Sequence, residues 1–148
     1  MQKSSFKFYW KNILLEMIPS RALFLPKTKD LLICDIHLGK AEYFQQNGFP
    51  LTNNSDENNF ERIKKIVKKY RPEKLIILGD LFHSKYSIGK TLQKKVEDLP
   101  ELLKTNVELV LGNHDEGCDI KNIKIFDIKR LIILLIVMSL LFQQIRKH

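Results

Sequence analysis

Three hydrophobic runs in this chain end in the same way, and that repetition constrains the fold more than any other feature. LLIC (31–34) runs into Asp35, His37 and Gly39; LIIL (75–78) runs into Gly79, Asp80 and His83; VELVL (107–111) runs into Gly112, Asn113, His114 and Asp115. Each run has the length and aliphatic content of a buried strand, and each glycine lets the backbone turn where the apolar residues stop. In an open α/β sheet, that carboxyl edge forms the crevice in which ligands bind. The pattern predicts three strand ends converging on one site.

Helical periodicity fills the gaps between the runs. Over 56–70, Phe60, Ile63, Val67 and Tyr70 recur at spacings of three and four, Ser55 or Asp56 suits the cap, Glu57 and Glu61 suit the positive end, and Pro72 stops the helix. A shorter helix is expected over 40–46, followed by a loop rich in Asn, Gly and Pro. Leu92, Val96, Leu99 and Leu102 or Leu103 share a face on a helical segment that Pro100 kinks or splits. Strand, helix, strand, helix, strand implies a parallel sheet with its ligand loops at one edge. Upstream, 13–18 and 21–25 flank Pro19-Ser20 as an edge hairpin, and 123–126 reads as a further short strand.

The 148 residues suffice for one domain with a real core, and hydrophobic and charged contents of 44% and 28% are those of a globular protein. The 25 Lys and Arg against 17 Asp and Glu give +8, which favours polyanionic partners, although lysine runs such as Lys64, Lys65, Lys68 and Lys69 more often form a solvated helix face. Cys34 and Cys118 form neither a disulfide framework nor a paired metal motif, and Cys34 reads as a small buried hydrophobe inside its strand. The N-terminus lacks the pattern of a secretory signal, so a cytoplasmic location is expected.

Asp35, His37, Asp80, Asn113 and His114 offer carboxylate, imidazole and amide donors and no thiolate. Such a set suits Mn²⁺, Fe²⁺ or Zn²⁺ without deciding among them. Asp80, between the other two loops, is placed to bridge two ions about 3.5–4 Å apart, the spacing used for phosphoester displacement by a metal-activated hydroxide. His114 is a candidate proton donor to the leaving oxygen, with Asp115 expected to hold its tautomer.

Asp35-Ile36-His37, Gly79-Asp80-Leu81-Phe82-His83 and Gly112-Asn113-His114-Asp115 resemble the first three signature blocks of the calcineurin-like metallophosphoesterases. The wider stretches 35–41 and 79–84 are most similar to the bacterial ligase-associated DNA damage response endonucleases, and the resemblance runs from about Ala22 to Asp115. It implies a mostly parallel sheet with flanking helices, the N-terminal part of a four-layer α/β/β/α sandwich. It also implies two divalent ions, Mn²⁺ foremost, with Asp35 and His37 on the first, Asp80 bridging and Asn113 on the second. His114 and Asp115 would serve the leaving group, His83 would face the scissile phosphate, and the substrate would be a phosphodiester, nucleic acid in the nuclease branch. Protein phosphatases of the superfamily place an Asp and then an Arg after Gly-Asp, whereas His83, Ser84 and Lys85 stand here, which argues against dephosphorylation of proteins.

The family pattern continues with an isolated histidine and a Gly-His-x-His block, and in this sequence the only histidine after His114 is His148. The expected division is therefore a phosphoesterase portion over 1–128 and a divergent apolar tail over 129–148, in a shortened or frame-shifted form of the domain. The tail's apolar stretch, from Leu131 to Phe142, is short against the roughly 20 residues of a membrane span, so a buried or irregular segment is expected first, self-association or a partner is the alternative, and no span is expected. A non-catalytic remnant or interaction module is the competing expectation.

Overall fold

The computed structural model describes residues 4–49, 54–84, 88–115, 117 and 120–126. Its strands are β1 (Phe6–Trp10), β2 (Ile13–Ile18), β3 (Ala22–Leu25), β4 (Asp30–Ile33), β5 (Lys74–Leu78), β6 (Asn106–Val110) and β7 (Lys124–Phe126); its helices are α1 (Lys40–Gln46), α2 (Ser55–Tyr70), α3 (Lys90–Glu97) and α4 (Leu99–Leu103). The seven strands form one sheet in sequence order. The first four run antiparallel as a meander, and β4 to β7 run parallel. The parallel half carries every loop that the sequence singled out.

Strand alternation decides which side chains meet the helices. Leu31, Leu75 and Val107 are aligned across β4, β5 and β6, as are Ile33, Ile77 and Leu109. These rows join Phe60, Ile63, Ile66 and Val67 of α2 and Leu92, Val96 and Leu99 of α3 and α4 in one buried core. Each such side chain contributes roughly 1.5–3 kcal/mol on leaving water. The opposite face carries a smaller cluster of strand residues, Leu15, Leu23 and Leu32, with Met17, Ile76 and Leu78 packed at its margin.

The expected split at Pro100 occurs at Asp98, where α3 ends and Pro100 enters the first turn of α4. Leu99 is fully buried and Leu102 is exposed, so Leu103, partly buried against the core, is the one that continues the stripe. The hairpin of 13–18 and 21–25 forms as β2 and β3, but it is not the sheet edge: β1 lies outside β2. Lys11 and Asn12, both at positive φ (43° and 65°), make the two-residue turn joining β1 to β2, the geometry that suits strand twist. Cys34 also departs from expectation: β4 ends at Ile33, and Cys34 is exposed at the start of the following loop. Among the described residues no helix is long and apolar enough to cross a membrane. The apolar stretch from Leu131 to Phe142 lies outside the described residues.

Candidate metal centre at the carboxyl edge of the sheet

The loops that follow β4, β5 and β6 are fastened to one another by backbone hydrogen bonds. His37 N–H donates to the Asp80 carbonyl (3.0 Å), Leu38 N–H to the Leu81 carbonyl (2.8 Å) and His83 N–H to the Leu38 carbonyl (2.8 Å), extending the β4–β5 pairing past the strands. Ile36, Leu38, Leu81 and Phe82 are buried, and these apolar plugs leave Asp35, His37, Asp80 and His83 nearer the surface. Helix α2 holds the first loop from below, through Asn59 Nδ2 to the Ile36 carbonyl (2.8 Å) and the Gly39 N–H to Asp56 Oδ2 (2.9 Å). On the other side Gly79 N–H donates to the Val110 carbonyl (2.9 Å). A Cβ on Gly112 would lie 2.5 Å from Asp80 N and 2.6 Å from Asp80 Oδ1, so only glycine lets the third loop approach so closely.

Asp115 ties the second and third loops together. Its fully buried carboxylate accepts the N–H of Phe82 at Oδ1 (2.9 Å) and those of Gly112 (2.9 Å) and Leu81 (3.3 Å) at Oδ2. Both oxygens are thus taken by backbone amides. The expectation that Asp115 fixes the tautomer of His114 is corrected: it is a brace for the backbone, and its neighbour in sequence is not its partner in space.

Asp35, His37 and Asp80 all have left-handed backbone, with φ of 56°, 50° and 49°. Residues other than glycine store of order 1–3 kcal/mol of strain in sparsely populated regions, a cost that concentrates at functional sites. Asp35 Oδ1 lies 3.4 Å from His37 Nε2. The rings of His37, His83 and His114 form a triangle with centroid separations of 6.1, 6.2 and 6.4 Å, and those of His83 and His114 are within 7° of parallel. Asn113 and His114 are exposed on the turn after Gly112. Partial burial, followed by the positive fields of His37, Lys40 and His114, pushes the His83 imidazole below its usual pKa.

A family model for calcineurin-like phosphoesterases matches residues 31–138. This chain belongs to the calcineurin-like phosphoesterase family. The crystal structure of Pseudomonas putida nuclease MPE is similar, with a TM-score of 0.71 and 26% sequence identity. That match covers 84% of this chain and 60% of the nuclease, so this chain spans less than two thirds of that relative's length. No curated protein matches the chain.

Calcineurin-like phosphoesterases generally use two divalent metal ions. Two polar atoms at this edge fit that use: Asp80 Oδ1 and His37 Nδ1 are buried and have no hydrogen-bond partner. A buried polar atom left unpaired is costly, and coordination of a cation is one way to satisfy it. Among the described residues no three His, Cys, Asp or Glu side chains already converge as a ligand cluster. The donors therefore share a loop cluster without a finished coordination sphere. Asp56, expected as a cap of α2, instead holds the first loop while Asn54 occupies the cap position, and Asn59 had no signal in the sequence, because a polar side chain on the solvent face of a helix has the same pattern as one holding a loop. Tyr43 and Phe44, which border His83 at 5.1 and 5.8 Å, were detectable only as an aromatic pair in the short helix after Gly39.

Proposed function

We propose that this phosphoesterase hydrolyses phosphodiesters of nucleic acid, with Asp35, His37, Asp80 and Asn113 holding a pair of divalent ions, manganese foremost. The observation that carries this reading is the position of Asp80. Its backbone is bonded to the His37 loop, its side chain is pressed against Gly112, and its Oδ1 is buried without a partner. When bound, the ions supply Lewis acidity to the phosphoryl oxygens and to the attacking water.

The chain's own residues account for the remaining steps. Asp115 fixes the second and third loops, so that Asp80 and Asn113 keep their separation while a substrate enters. His114, the exposed corner of the imidazole triangle, is the group that donates a proton to the departing oxygen. His83, whose pKa is lowered by partial burial and by the neighbouring positive groups, is biased towards its neutral form and serves as a hydrogen-bonding partner to the phosphate. The similarity of 35–41 and 79–84 to ligase-associated endonucleases, together with the +8 charge balance, supports DNA and a repair role. The deciding assay is hydrolysis of bis-p-nitrophenyl phosphate with Mn²⁺. The wild type turns over, and Asp80→Asn falls to background.

The second reading is a non-catalytic binding module. The lack of a converged group of three His, Cys, Asp or Glu side chains among the described residues favours it. Equal background rates for wild type and Asp80→Asn would leave this reading standing, with self-association or a partner at the apolar tail as its function.

A further inference from the structure

The imidazole triangle is continued outward by aromatic rings that phosphate hydrolysis does not require. Phe44 stacks on His83 (5.8 Å, 29°), Tyr43 meets the same imidazole edge-on (5.1 Å, 68°), and Phe49 meets Phe44 edge-on (6.3 Å, 80°). From the candidate proton donor outward the order is His114, His83, Phe44, Phe49. The outermost ring is 62% exposed, yet its backbone is fixed: Phe49 N–H donates to the Phe44 carbonyl (2.9 Å) and Gly48 N–H to the Gln45 carbonyl (3.1 Å). Asn47 Nδ2 adds a bond to the Tyr43 carbonyl (2.7 Å). A large aromatic ring is thus held in water, one ring away from an imidazole of the candidate centre.

We infer that the face of Phe49, braced edge-on by Phe44, is a stacking shelf for a nucleobase next to the scissile phosphate, making Phe49 a specificity-determining residue of this phosphoesterase. The inference rests on the proposed phosphodiester chemistry and names what flanks the phosphate. A group attached to a phosphate held at Asp80 and reaching the rim must be flat to use an aromatic face and must tolerate a basic protein. A nucleobase on a polyanionic backbone meets both requirements, because every base presents a π-face and aromatic stacking is tolerant of sequence. The short helix and loop from Gly39 to Phe49 would then set substrate preference, while the three loop tips carry the chemistry.

The test is a fluorescence titration of the whole chain with a short deoxyoligonucleotide carrying 2-aminopurine, calcium being the only divalent ion. A second oligonucleotide carries an abasic sugar at the same place. The wild type quenches 2-aminopurine on binding. Phe49→Leu, which keeps apolar bulk and removes the ring, weakens binding by about tenfold and loses the quench, and Phe49→Tyr retains both. The abasic oligonucleotide binds wild type and Phe49→Leu equally. Absence of quenching by the wild type, or equal binding of the base-bearing oligonucleotide by wild type and Phe49→Leu, overturns the shelf. Failure of the phosphodiesterase reading shows separately, as equal hydrolysis by wild type and Asp80→Asn, with the titration still readable.

Discussion

The space between the sheet and its helices and the loop tips at the carboxyl edge obey opposite rules. In the interior, Leu75, Ile77, Leu99 and Leu109 are fully buried, and the periodicity of each element agrees with its neighbours. At the loop tips, three non-glycine residues take left-handed backbone, and Asp80 and His37 each bury a polar atom without a partner. Left-handed residues occur elsewhere too, but Arg71 and Lys104 cap helix ends and Lys11, Asn12 and Arg21 sit in hairpin connections, where such backbone is ordinary. The difference teaches that the apolar interior follows the period of each element, whereas the edge combines left-handed backbone with orphaned polar atoms; of the scaffold elements, α2 shares the second trait, since Ser55, Asp56 and Arg62 also bury polar atoms without a partner.

The largest expected effect lies in the interior. Leu75→Ala removes a fully buried side chain from the middle strand and should cost about 2–5 kcal/mol in a urea melt, whereas Asn113→Ala at the exposed turn should stay within about 0.5 kcal/mol. A similar loss at both sites would erase the distinction between the two regions. Next comes Asp115, the one ligand-loop carboxylate that behaves as scaffold. Asp115→Asn leaves a single acceptor oxygen for the backbone amides of Leu81, Phe82 and Gly112, so about 2 kcal/mol should be lost. If stability held and only activity fell, Asp115 would belong to the chemistry after all.

Asp80 should show the reverse profile. Its Oδ1 has no partner to lose, so Asp80→Asn should keep metal-free stability within about 1 kcal/mol of wild type. Saturating Mn²⁺ should stabilise the wild type by about 1–3 kcal/mol in a thermal scan, reversibly with chelator, and leave Asp80→Asn unmoved. A wild type indifferent to Mn²⁺ would place the orphaned atoms outside any cation site.

The same divide explains what the sequence disclosed. Strands β4, β5 and β6 and helix α2 were legible because burial imposes a period on them, and the donors at their ends stood out against apolar runs. Strand β1 was not, because Phe6 and Tyr9 are exposed at the sheet edge and no buried stripe marks it. Cys34 misled because LLIC is continuous in hydrophobicity, while the left-handed turn at Asp35 takes the chain out of the sheet immediately after it. Asp115 misled for a related reason. Adjacency to His114 suggested a pair, but the turn closed by Asp115 N–H on the Gly112 carbonyl (3.1 Å) folds the carboxylate back under the loops. Side chains that anchor loops have no period, and only the folded chain reveals them.

The smallest expected effect concerns Asp56, where interior and loop tips meet. Its position in the first turn of α2 favours a negative charge, yet burial dominates and raises its pKa above 3.8, even though the Gly39 N–H bonded to Oδ2 opposes the shift. A raised carboxyl pKa means that the folded chain holds this proton more tightly than the unfolded chain. The resulting stability is fully present below pH 3.8 and is lost as pH rises through the folded value. Asp56→Asn keeps an acceptor for Gly39 and cannot ionise, so its stability relative to wild type should increase as pH rises from below 3.8 towards neutrality. Urea midpoints for the two proteins across that range measure the difference. Parallel curves would mean that Asp56 ionises without cost, and that the joint between helix and loop is as well solvated as the surface.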